Sequence, residues 1–90
     1  MAGVRHEVLL PDLGLGRRRV QASVWLVPLG SELAEGDRLL EVVADGVTID
    51  LPAPVSGRLA EQRVAEEDSL HVGQVLAVIE QRAERVSRPG

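Results

Sequence analysis

Chemistry in a short chain needs nucleophiles, metal ligands or matched acids and bases, and this sequence offers few. Its two histidines, His6 and His71, stand 65 positions apart with no cysteine to join them. A metal site needs more ligands at shorter spacing, so none is expected. No serine lies in a Gly-x-Ser-x-Gly setting. Gly14-Leu15-Gly16 is half of a dinucleotide-binding fingerprint. It lacks the third glycine and the following helix, and reads instead as a flexible loop. Glu66-Glu67-Asp68 reads as a solvated turn between strands. No catalytic residue is assigned. A compositional feature stands out instead: all ten Lys+Arg positions are arginine. The chain therefore has no side-chain primary amine, the group that amide or Schiff-base attachment would use.

The elements that must position these residues are bounded by size and composition. Ninety residues make one small domain. At that length only about 60–65% of the unfolded surface is buried, so the core is thin. With no Phe, no Tyr and one Trp, the core has to come from Val, Leu, Ile and Ala, which suits paired sheets. The absence of cysteine excludes disulfides and thiolate sites. No apolar run resembles a signal peptide, and none, Val24 to Val27 included, approaches the ~20 residues of a membrane helix. A cytoplasmic location is expected, with no membrane contact. A net charge of −4 and the near-absence of aromatic residues argue against nucleic acid as a partner. Arg17-Arg18-Arg19 is the local exception, and reads as a solvated loop or strand edge.

Short apolar stretches separated by turn residues, without a 3.6-residue stripe, predict an all-β sandwich or barrel. Strands are expected near Glu7–Leu10, Val20–Val27, Arg38–Val43, Val47–Leu51, Gly57–Val64 and Gln74–Glu80. Within the second, Val20, Ala22, Val24 and Leu26 alternate with Gln21, Ser23 and Trp25. Strict alternation would put the first set inward and leave Trp25 half covered on the outer face. Residues 1–5 are expected to be a flexible N-terminus, 6–80 the domain, and 81–90 a flexible tail or the start of a linker.

An internal repeat organises the chain. Shifted by 37 residues, Val27 meets Val64, Leu33 meets Leu70, Gly36 meets Gly73, Leu39 meets Leu76 and Val42 meets Ile79. Two such units are too few for a solenoid. Neither can bury its apolar face alone, so they must pack together as a quasi-two-fold sandwich. That symmetry puts Asp45-Gly46 at a hairpin tip, with the chain termini at the opposite end. Asp-Gly is a strong two-residue hairpin signal, because a type I′ turn needs positive φ at both central residues.

With these residues in view, the chain resembles the biotinyl/lipoyl attachment domain family, and most closely the lipoyl domains of 2-oxo acid dehydrogenase acyltransferase components. Leu10-Pro11-Asp12-Leu13-Gly14 is similar to the family's Met-Pro-x-Leu-Gly opening. Val24-Trp25-Leu26-Val27, Gly30 through Leu39, Leu51 through Leu59 and Val72 through Ile79 resemble successive family segments, so the likeness runs from about residue 6 to 80. It implies a flattened barrel-sandwich of two antiparallel sheets of about four strands each. In the family, the hairpin tip presents a lysine within Glu-Thr-Asp-Lys-Val or a close variant. Here the segment is Val43-Ala44-Asp45-Gly46-Val47. Glycine has no side chain, and arginine cannot substitute because its guanidinium stays protonated. A codon bias toward arginine explains the composition but predicts Arg, not Gly, at the tip.

The resemblance therefore implies a lipoyl-like domain without lipoate or any other attached cofactor. Its acceptor-equivalent residues are Asp45, Gly46 and Val47. In the family the loop before the second strand lies beside the tip and helps partner enzymes recognise the domain, which makes Asp12, Leu13, Gly14 and Leu15 a candidate partner-contact loop. Core anchoring is the rival reading for Leu13 and Leu15. One function follows as an expectation: a non-catalytic protein-interaction or structural module, associated with a 2-oxo acid dehydrogenase type complex. Two alternatives stay open. One is a lipoyl carrier domain (or, second, a biotinyl one) whose acceptor was lost. The other is a domain that self-associates through unpaired sheet edges.

Overall fold

The structure is a computed structural model that describes residues 3–81. Its eight strands are β1 (Val4–Leu9), β2 (Val20–Trp25), β3 (Glu32–Leu33), β4 (Arg38–Ala44), β5 (Val47–Pro52), β6 (Gly57–Gln62), β7 (Ser69–Leu70) and β8 (Val75–Gln81). They form two four-stranded sheets, ordered β1-β8-β6-β3 and β5-β4-β2-β7. All pairings are antiparallel. The all-β, two-sheet architecture is as the sequence pattern predicts.

The repeat governs the fold down to single pairs. β2, β3 and β4 shifted by 37 residues become β6, β7 and β8. Ala22 opposite Val42 is matched by Leu59 opposite Ile79, and Val20 opposite Leu70 by Gly57 opposite Leu33. Even the irregularities are duplicated. One bulge leaves Ser23 out of the β2–β4 register, and its mate leaves Ala60 out of the β6–β8 register. A second pair skips Leu39 and Leu76. An extra residue in one strand lets two neighbours point the same way. This is how Leu39 and Leu40 are both buried, and how Leu76 and Ala77 are too. Each buried leucine contributes about 1.5–3 kcal/mol over an exposed one, so these bulges enlarge a core that lacks Phe and Tyr.

The Ser23 bulge overturns one expectation. Beyond it the strand's parity reverses, so Val24 and Leu26 are exposed while Trp25 and Val27 pack against the core. Trp25 is half-buried as expected, but on the inner side, opposite fully buried Leu40. Its indole Nε1 donates to the Val64 carbonyl at 3.1 Å, which satisfies the one polar atom that the bulge turns inward.

Two further differences concern boundaries. β3 and β7 are only two residues long. The sequence pattern shows them only as a buried leucine between turns, at Leu33 and Leu70. β1 begins at Val4, paired with Gln81, so Val4 and Arg5 are strand residues rather than part of a free N-terminus. Of the expected tail, Gln81 ends β8, and the rest lies outside the described residues. Among the described residues no polar or charged side chain is buried. The outer face of the first sheet carries ion pairs instead, with Arg58 on Glu80 at 2.7 Å and Arg5 on Glu61.

Candidate functional site

The hairpin between β4 and β5 closes at Asp45-Gly46, with Ala44 paired to Val47. Both central residues have positive φ, 51° at Asp45 and 78° at Gly46, as a type I′ turn requires. Asp tolerates this region better than most residues, and glycine adopts it without cost. Ala44 is buried just below the turn, whereas Asp45, Gly46 and Val47 are exposed. Space beside Gly46 is open: a Cβ built there meets no heavy atom within 4 Å.

The loop from Leu10 to Arg19 lies against this tip. Its first turn is set locally, where the Asp12 carboxylate accepts from the Gly14 N–H at 2.9 Å. A second turn brings the Arg18 N–H onto the Leu15 carbonyl at 3.2 Å. Arg18 then reaches the tip, its Nε 3.1 Å from the Asp45 carboxylate. Both partners are more than half exposed, so the pair tethers the loop weakly and is screened by salt. Leu13 is half-buried and packs against the core, while Leu15 is half-buried and lines a cleft under the loop. For Leu13, then, core anchoring describes the contact.

That cleft has a volume of about 240 Å³ and lies between the loop, the start of β2 and the turn after β7. Leu10, Val20 and Leu70 form part of its apolar wall, and Arg17, Arg18, His71 and Asp12 its polar rim, the Asp12 carboxylate being engaged by the Gly14 N–H. A hollow of about 420 Å³ beside it adds Arg19 and Ser69. The three consecutive arginines, which look in the sequence like a solvated edge, are thus gathered around a concavity. The one signal pointing there was a run of three like charges in an otherwise acidic chain.

The remaining sequence candidates are dispersed. His6 sits in β1 opposite Ile79, whereas His71 follows β7 in the other sheet. Among the described residues no three His, Asp or Glu side chains converge as metal ligands. Glu66, Glu67 and Asp68 are exposed, but two of them have structural tasks. The Glu66 carboxylate accepts from the Trp25 N–H at 3.1 Å, and that of Asp68 from the Ala65 N–H at 2.8 Å. No helix of the described residues is long and apolar enough to cross a membrane.

Comparison with known proteins gives the arrangement a family. A family profile described as "Biotin-requiring enzyme", the biotin/lipoyl family, matches residues 6–79. The chain is 34% identical over 74 residues to a Pseudomonas putida protein, the dihydrolipoyllysine-residue acetyltransferase component of an acetoin cleaving system. That alignment takes in 82% of this chain and 20% of the relative. It is 35% identical over 72 residues to the dihydrolipoyllysine-residue acetyltransferase component of the Corynebacterium glutamicum pyruvate dehydrogenase complex, covering 80% of this chain and 11% of that one. The chain thus spans a fifth or less of the length of these relatives. Its fold is similar to the lipoyl domain of the 2-oxoglutarate dehydrogenase complex from Azotobacter vinelandii, with a TM-score of 0.69 at 17% identity over 86% of this chain and 98% of that one. The chain belongs to the biotin/lipoyl attachment family, as a domain related to acyltransferase components of 2-oxo acid dehydrogenases. The family's cofactor is held through a lysine amide, and the residues here do not fit that bond, because the tip offers Gly46 and the chain contains no lysine.

Proposed function

We propose, with family membership as the premise, that this chain is a lipoyl-type domain that carries no attached cofactor. It acts as a non-catalytic interaction or structural module of a cytoplasmic, 2-oxo acid dehydrogenase type assembly. One observation carries the reading: the hairpin that would present an acceptor is complete, with its turn geometry and loop tether, yet offers no amine. Asp12, Leu13, Gly14 and Leu15, with the tip residues Asp45, Gly46 and Val47, form the surface that meets a protein partner. Leu13 serves it by anchoring the loop on the core. The test is the intact mass of the protein purified from its native host. The polypeptide mass alone is expected, and an added lipoyl or biotinyl mass would refute the proposal.

A second reading, a carrier domain that has lost its acceptor, draws on the open space beside Gly46. Gly46→Lys is expected to fold at a cost of about 1 kcal/mol for placing a side chain at positive φ. Offered a lipoate ligase and lipoate, the variant separates the two readings. Efficient modification favours a carrier with a surviving recognition surface. Resistance favours a surface that has moved to another use.

A further inference from the structure

The six residues by which the β1–β2 loop exceeds its symmetry mate are not needed for closure, because β5 and β6 are joined by four residues and β1 and β2 by ten. This extra length holds all three consecutive arginines and overhangs the cleft. We propose that the cleft is a binding site for a small organic anion, a carboxylate on a short aliphatic chain.

The charge argument comes from counting partners. Of the seven arginines in the described residues, five reach a carboxylate: Arg5, Arg18, Arg38, Arg58 and Arg63. Arg17 and Arg19 reach none among the described residues, although the chain's net charge is −4. They stand with His71 around one hollow. A guanidinium is a planar fork of donors that matches a carboxylate in two parallel hydrogen bonds. The apolar side, from Leu13, Val20 and Leu70, supplies what a bare inorganic anion would not use. Size sets the rest. The apolar cleft, about 240 Å³, falls below the roughly 300 Å³ at which pockets for drug-sized ligands begin, so it suits a chain of a few carbons, with the carboxylate in the adjoining hollow of about 420 Å³ among the arginines. No Phe, Tyr or Trp ring lines it for a base to stack on, which argues against a nucleotide.

Amide chemical shifts of the full ¹⁵N-labelled chain, titrated at low salt with hexanoate, acetate, inorganic phosphate and an acidic peptide, provide the test. Saturable shifts from hexanoate are expected at Leu13, Gly16, Val20, Leu70 and His71. Hexanoate should bind about tenfold more tightly than acetate, because each buried methylene adds affinity and the cleft covers only part of the chain. Arg17→Gln with Arg19→Gln should weaken hexanoate binding at least about tenfold, since both charge-assisted donors are lost. Arg38→Gln with Arg63→Gln makes the same change in net charge elsewhere and should leave binding unchanged. Circular dichroism confirms that both double variants are folded. The proposal is overturned by an absence of saturable hexanoate shifts at these residues, by equal affinity for hexanoate and phosphate, or by equal losses in the two double variants. Binding of the peptide without hexanoate also overturns it and identifies the cleft as a macromolecular contact.

Discussion

The two halves of this domain share one set of pairings and bulges, and they differ where they are joined. In one half, β4 and β5 are linked directly by Asp45-Gly46. The symmetry-equivalent strands of the other half, β8 and β1, have no link, since the pair Val4 and Gln81 lies near the two ends of the chain. Likewise the connection from β5 to β6 is Ala53-Pro54-Val55-Ser56, whereas that from β1 to β2 is longer by six residues. The excess lies against the tip, and Arg18 touches Asp45. The difference teaches that packing obeys the repeat while the exposed chemistry does not. What is duplicated is the packed core, and what is single is the exposed loop and tip on which the proposed function draws.

The broadest way to break that comparison is in the core. Leu39 and Leu76 are repeat mates, each 1% exposed. Truncating either to alanine should cost about 3 kcal/mol, and the two values should agree within about 1 kcal/mol by urea unfolding. A large disparity would mean that the halves contribute unequally despite their matching geometry.

Gly57 and Val20 are mates that differ in the room each has for a side chain. A Cβ on Gly57 would sit 2.6 Å from the Glu80 carbonyl oxygen and 2.8 Å from the Ile79 side chain, so Gly57→Ala should destabilise by about 2 kcal/mol. Val20→Ala removes half-buried methyl groups and should cost only about 1 kcal/mol. Thermal unfolding reads both, at roughly 4–8 °C per kcal/mol for a domain of this size.

Glu67 sharpens the comparison in the stabilising direction. It holds φ at 77°, where its mate Gly30 has 91°. Left-handed geometry costs a side-chain-bearing residue about 1–2 kcal/mol, part of which glycine returns through its freer unfolded chain. Glu67→Gly should therefore stabilise by about 0.5 kcal/mol, while Gly30→Ala should destabilise by about 1 kcal/mol.

The smallest effect is expected at the tether. Arg18→Gln should change global stability by less than about 0.5 kcal/mol, because the ion pair is exposed. It should nevertheless speed amide hydrogen exchange at Gly14–Arg18 and at the tip, with β4 and β8 unaffected. Unchanged exchange at the loop would show that its turns at Asp12 and Leu15 hold it in place without the tip.

Much of this was legible beforehand because the same signals occur twice. Leu33 and Leu70, or Leu39 and Leu76, share a spacing that only a duplicated packing problem explains. Asp45-Gly46 was legible because a two-residue turn is a local affair, decided by the φ values its own residues tolerate. The faces of Val24 and Leu26 differ from the expected alternation because strict alternation has no way to register an inserted residue. Ser23 is bulged out by the pairing between strands, a relation between distant segments. The two-residue strands β3 and β7 were hidden for the same reason. A run that short carries no period, and it is defined by its neighbour.

By itself, then, the sequence determined the repeat, the two-sheet class, the turn at the tip and the absence of any side-chain amine to carry a cofactor. These are properties of residue type and local spacing, and they hold wherever the chain is placed. Only the tertiary structure decided that Trp25 faces inward, that Arg18 meets Asp45, and that Arg17 and Arg19 stand around one hollow with no carboxylate partner among the described residues. Those facts depend on which strands pair and in what register. That is settled by the burial of both halves against each other, because neither half can cover its apolar face alone.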